Sequence, residues 1–181
     1  MAEATSSSSL PSTTPHDALA APSSSSNPDT PGIPIAMIGA YEQVGVQLAR
    51  LLVPEFDTVH HSLIKHALAE LPRLLAGDLA VPQETGIGSN ASRKAQDRRI
   101  PVAMILGREV PMEMEGQILE KVRELEAEKK DAQSVRRSVK FIRVGAPDKS
   151  IIGKGGPPDV GMLAELLRGK LREALGGGEE S

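Results

Sequence analysis

The residues best placed for chemistry run from Gly39 to Gly45, as Gly39-Ala40-Tyr41-Glu42-Gln43-Val44-Gly45, directly after the apolar run Pro34–Ile38. An apolar strand that meets glycine and turns into a helix offers backbone N–H groups to an anion, and a pyrophosphate is the usual guest. The spacing does not match G-x-G-x-x-G. Glu42 stands where a glycine would let the backbone approach phosphate. Its carboxylate repels phosphate and satisfies the helix N-terminus itself. A ribose-binding acid belongs about 20 residues further on. His60, His61 and Ser62 stand there instead. The turn therefore predicts close helix–sheet packing and no cofactor, with NAD or NADP as the alternative.

Other reactive side chains are scattered. His60 and His61 are adjacent on a predicted strand, so their rings point to opposite faces and do not share a metal. No metal site is predicted. One of His60, His61 and His66 could serve as a proton donor near the switch point, because imidazole titrates near neutrality. Arg108 and Glu109 follow Gly107, and Asp148 and Lys149 follow Gly145. Rim ion pairs of this kind contribute little stability. Arg108 is the better ligand clamp, since its fork can hold a carboxylate or phosphate. Gly153-Lys154-Gly155-Gly156 lacks the spacing and the Ser/Thr of a phosphate loop. Ser89 and Ser92 lie in no nucleophile elbow. No catalytic residue is assigned.

Three apolar runs end on glycine: Pro34–Ile38 at Gly39, Val102–Leu106 at Gly107 and Val139–Val144 at Gly145. Each reads as a buried parallel strand entering a βα turn. A first helix is predicted over Glu42–Leu52, with Val44, Leu48, Leu51 and Leu52 on one face. A shorter, less apolar edge strand is predicted over Asp57–His61, with Ser62 as N-cap of the next helix. That helix should kink or restart at Pro72 and end at Gly77. Residues 78–99 read as a low-order loop ending in the charged cluster Arg93, Lys94, Asp97, Arg98 and Arg99. A third long helix is predicted from near Met112, and a last one from the N-cap Asp159 to Leu175. The last presents Leu163, Leu166, Leu167 and Leu171 to the core. Strands alternating with helices predict an α/β fold: a small doubly wound parallel sheet of four strands in order 2-1-3-4, three layers deep. Ligands in such sheets bind at the carboxyl ends of the strands. The candidate binding residues are thus Gly39, Ala40, Tyr41, Gly45, His61, Gly107, Arg108, Gly145 and Asp148.

Composition sets the outer limits. Residues 1–32 hold nine Ser, four Thr, five Pro and no Lys or Arg. This tail is expected to be disordered, because it cannot bury enough apolar surface to order itself. It has neither a secretory h-region nor the arginines of a mitochondrial presequence. The domain is assigned to 33–176, with a flexible tail over 177–181. Glu3, Asp17 and Asp29 account for the net charge of −3, so the domain itself is balanced. A balanced domain with one Tyr, two Phe and no Trp has neither the charge nor the stacking surface for nucleic acid. The chain has no cysteine, hence no disulfide or thiolate chemistry. No apolar run is long enough for a membrane span. The expected location is cytoplasmic.

The segments Ile35–Ala40, Val59-His60, Leu71–Leu75, Gly88–Asn90, Pro101–Gly107 and Phe141–Val144 resemble a group of small fungal Rossmann-like proteins of unknown function. The resemblance spans about residues 33–175. The Gly39 turn is distantly similar to the G-x-x-G-x-x-G turn of NAD(P)-binding Rossmann reductases, with Glu42 replacing the middle glycine. The resemblance implies a Rossmann-like fold in a fungal cytosol and brings no catalytic residues. The charged stretch Glu120–Arg137 is longer than in those proteins. The expected function is a non-catalytic or weakly ligand-binding accessory protein of fungal metabolism, taking a small molecule. The alternatives are a small NAD(P)-linked oxidoreductase and an interaction module that uses the charged extension toward a protein partner or a second copy.

Overall fold

A computed structural model describes residues 32–128, 138–145 and 159–176. Four strands form one sheet: β1 (Ile33–Gly39), β2 (Phe56–Leu63), β3 (Ala103–Leu106) and β4 (Lys140–Arg143). Their order is β2-β1-β3-β4 and every pairing is parallel. The helices are α1 (Glu42–Leu52), α2 (Ile64–Leu75), the short α3 (Ser89–Ser92), α4 (Met114–Glu128) and α5 (Val160–Gly176). The chain forms a three-layer, doubly wound α/β domain.

Each face of the sheet carries its own core. Ile35, Met37, Phe56, Ala103 and Ile105 face α1 and α5, where they meet Leu48, Leu52, Leu163, Leu167 and Leu171. Ala36, Ile38, Met104 and Leu106 face α2 and α4, where they meet Ala67, Leu71, Met114 and Ile118. All four β3 side chains are buried, as a central parallel strand covered on both faces requires. The carboxylate of Asp159 caps α5 by accepting the N–H groups of Gly161 (2.9 Å) and Met162 (3.2 Å). Arg172 forks onto Glu55 at 2.6 and 2.5 Å, tying the end of α5 to the start of β2. That contact holds the Glu55 carboxyl below its ordinary range.

Several local expectations are corrected. β2 is an edge strand, but it is the longest of the four, and Thr58, His60, His61 and Ser62 are all buried in it. Ser62 lies inside β2, so Leu63 takes the N-cap position of α2 with no side-chain cap. α2 runs through Pro72 unbroken. The proline removes one N–H near the helix end, while its own carbonyl still receives Ala76 N–H at 2.9 Å. Leu51 and Leu166 turn outward, at 40% and 36% exposure. Residues 78–99 hold α3, a 3-10 turn over Ala95–Asp97 and a buried Asn90. Among the described residues, no helix is long and apolar enough to cross a membrane.

Candidate functional site

The chain leaves β1 for α1 on one face and β3 for α4 on the other. The switch point of the sheet therefore lies between the carboxyl ends of β1 and β3, where open α/β sheets take their ligands. The floor there is built from glycine. Gly107 N–H donates to Ile38 O at 2.8 Å. A Cβ at Gly107 would lie 2.9 Å from that oxygen and 3.4 Å from Gly39 Cα. On one bank stand Ala40 and Tyr41, with Tyr41 63% exposed. On the other stand Arg108 and Glu109, both exposed. Tyr41 occupies the N-cap position of α1 without a side-chain cap bond, and Glu42 sits in the first turn.

Gly45 and His61 are not on that rim. A Cβ at Gly45 would stand 2.5 Å from His61 Nε2, 2.6 Å from Cδ2 and 2.9 Å from Cε1. The imidazole thus fills the space that the missing side chain leaves, and it also lies 3.5 Å from a Cβ built on Gly39. A bulge aims the ring there. Thr58 pairs with Ile35 and His60 with Ala36, so Val59 is an extra residue in β2. His61 is 2% exposed and its Nδ1 has no hydrogen-bond partner. Burial first, and then the neighbouring His60, lower its pKa from the ordinary 6.5, against weaker opposition from Glu42 and Glu70. The ring is neutral at pH 7 and is shut into the α1 side of the sheet, so it is poorly placed to donate a proton to a ligand at the switch point.

His60 faces the other side. Its Nε2 meets Glu70 Oε2 of α2 at 2.9 Å, with both side chains buried. Glu70 Oε1 accepts Glu84 N–H at 3.2 Å. Burial alone would raise the Glu70 carboxyl, but hydrogen bonds from His60, Ser62 and the Glu84 N–H outweigh it, so the carboxyl lies below its ordinary range. The sequence reading missed Glu70. Its signal was an acid on the buried stripe of α2, between Ala67 and Leu74. The basic cluster near residue 95 is also structural. Asp57 Oδ2 accepts Ser89 Oγ (2.9 Å), Arg93 Nη2 (2.9 Å) and Arg99 Nη1 (3.1 Å). Arg98 Nη1 donates to the carbonyls of Leu79 and Val81. The Asp57 bonds hold segment 78–99 against the outer edge of β2, and the Arg98 bonds close the segment on itself.

The structure thus brings together Gly39, Ala40, Tyr41, Gly107 and Arg108. Gly145 is exposed just past the end of β4 on the same edge of the sheet. Asp148 and the Gly153–Gly156 run lie outside the described residues, as does the charged extension beyond Glu128. Among the described residues, no three His, Asp or Glu side chains are grouped to hold a metal. Arg143 was not anticipated. It donates to the carbonyls of Val110 (2.7 Å) and Pro111 (3.2 Å), fixing the β3–α4 loop that carries Arg108.

Compared with known proteins, the chain matches no family model, no curated protein and no solved structure.

Proposed function

We propose that this chain is a Rossmann-like, weakly ligand-binding accessory protein of the fungal cytoplasm rather than an NAD(P)-linked reductase. Its ligand is a small molecule seated between the β1–α1 turn and the β3–α4 loop. The observation that carries the reading is the packing of His61 against Gly45. In a dinucleotide fold the last glycine of the turn serves close helix–strand packing while an earlier one admits the pyrophosphate. Here Gly45 makes room for an imidazole, and the position of the earlier glycine holds Glu42. The first turn of the helix that would hold phosphate therefore carries a negative charge of this chain. Arg108, exposed on the opposite bank, is the group for a carboxylate or phosphate on the ligand.

Titration with NADH and NADPH, followed by nicotinamide fluorescence, tests the choice between the readings. The expected result is no saturable binding at micromolar concentration. Saturable binding of either would overturn the proposal in favour of the oxidoreductase. Citrate probes the ligand site directly. It should raise the melting temperature of the wild-type chain, and Arg108→Ala should remove that rise without lowering the melting temperature in plain buffer. A citrate effect indifferent to Arg108 would refute the site.

A further inference from the structure

Among the described residues, every buried polar side-chain atom without a hydrogen-bond partner belongs to β2 or to the segment over its outer edge. These atoms are Thr58 Oγ1, His60 Nδ1, His61 Nδ1, Gln83 Oε1 and Arg93 Nη1. Folded interiors leave few such atoms, and here they gather along one seam. The covering segment replaces a strand with very little backbone pairing. His61 N–H donates to Ile87 O at 3.0 Å. The carbonyls of Val59 and His61 are met by side chains instead, Gln83 Nε2 at 3.0 Å and Thr85 Oγ1 at 2.7 Å. Gly86 and Gly88 carry positive φ, at 62° and 124°. Gly88 lies so flat on β2 that a Cβ there would stand 2.6 Å from Val59 O.

The strand under this seam carries two adjacent buried imidazoles, His60 turned toward α2 at 0% and His61 turned toward α1 at 2% exposure. The charges around them are few. α1 contributes Glu42, near His61, and α2 contributes Glu70, bonded to His60. β1 and α3 contain no titratable residue. The covering segment brings Glu84, an exposed residue that offers Glu70 its N–H.

We propose that residues 83–88 form an acid-released strap, which leaves the edge of β2 when the buried His61 takes up a proton while the central strands stay folded. A charged His61 would sit in a niche closed by Gly45, with Nδ1–H facing no acceptor. Release of the strap removes the bonds that Ile87 and Thr85 make to the His61 backbone, so the freed carboxyl end of β2 can draw the His61 ring out of the Gly45 niche into water. The open form then binds protons more tightly than the closed form, so acid favours opening. Burial weakens proton binding at His61 in the closed form, which is the direction this linkage requires. The strap does not depend on the ligand reading above.

Amide hydrogen exchange of the full chain, followed by NMR between about pH 7.5 and about pH 5.5 and corrected for intrinsic rates, tests the strap. Protection of the His61 and Glu84 amides should fall by about tenfold or more across this range, because each pH unit can shift a one-proton equilibrium about tenfold. The amides of Met104 and Ile105 should stay protected. The ring carbons of His61 should titrate at the same midpoint, and His61→Gln should abolish the pH dependence. Equal protection at both ends of the range would overturn the proposal. So would loss in step with Met104 and Ile105, or an unchanged pH dependence in His61→Gln. If the glutamine variant does not fold, the wild-type ring decides. A coincident midpoint supports the strap, and ring titration without loss of strap protection refutes it.

Discussion

Gly45→Ala isolates the contact on which the functional reading rests. Gly45 is the fourth residue of α1, where alanine ordinarily stabilises a helix by about 0.5–1 kcal/mol. The new Cβ would meet three atoms of the His61 ring between 2.5 and 2.9 Å. The ring cannot swing aside freely, because it is 2% exposed and its strand is held on both edges. Overpacking of this kind costs about 1–3 kcal/mol. The net expectation is a loss of about 1–2 kcal/mol, opposite in sign to the usual Gly→Ala change. The partner variant settles the cause. In a His61→Ala background the ring is gone, so Gly45→Ala should stabilise by about 0.5–1 kcal/mol. The coupling between the two sites should therefore be about 2 kcal/mol. Urea unfolding followed by far-ultraviolet circular dichroism is the suitable assay. The chain has no Trp, and its one Tyr is already 63% exposed, so fluorescence would report folding poorly. A Gly45→Ala chain more stable than wild type would refute the packing argument and restore Gly45 to a binding role.

Stability should also depend on pH in two steps. The unfolded chain takes a proton on His61 that the folded chain resists, so stability falls as pH drops below 6.5. Glu70 is held below its ordinary 4.5, so its contribution is present above that value and is lost as pH falls through the folded pKa. Melting temperatures measured across pH should show both losses, and His61→Gln should erase only the first. Asp57→Ala strands three donors on the outer edge of β2 and should cost about 2–3 kcal/mol in urea unfolding; a cost below about 0.5 kcal/mol would mean the knot is ornamental. Met104→Asp would place an unpaired charge at a fully buried central position and should cost more than about 4 kcal/mol, seen as loss of soluble, cooperatively folded chain. A chain beginning at Gly32 should unfold in one cooperative transition, because the removed residues are too rich in Ser, Thr and Pro to supply a core.

The layer structure was legible in the residues themselves. Short apolar runs ending on Gly39 and Gly107, each followed by a helical stripe, determine buried parallel strands with crossover helices, and the handedness of those crossovers leaves few topologies. The order β2-β1-β3-β4, the span of α1 and the Asp159 cap follow from such local chemistry. The edge strand and its cover did not. β2 is nearly as polar as a loop, and burial of His60, His61 and Ser62 depends on partners distant in sequence: Glu70, Gly45 and the 83–88 segment. A single extra residue at Val59 sets which face each histidine takes, and a bulge leaves no mark in a hydrophobic pattern of period two. The same holds for the site. The switch point was readable because strand ends and glycines are local features, whereas the withdrawal of Gly45 and His61 from it was not. Gly45 looks like part of a phosphate turn until the fold brings an imidazole against it, because the residue that consumes its space stands 16 positions away, on β2, while Gly45 itself lies in α1.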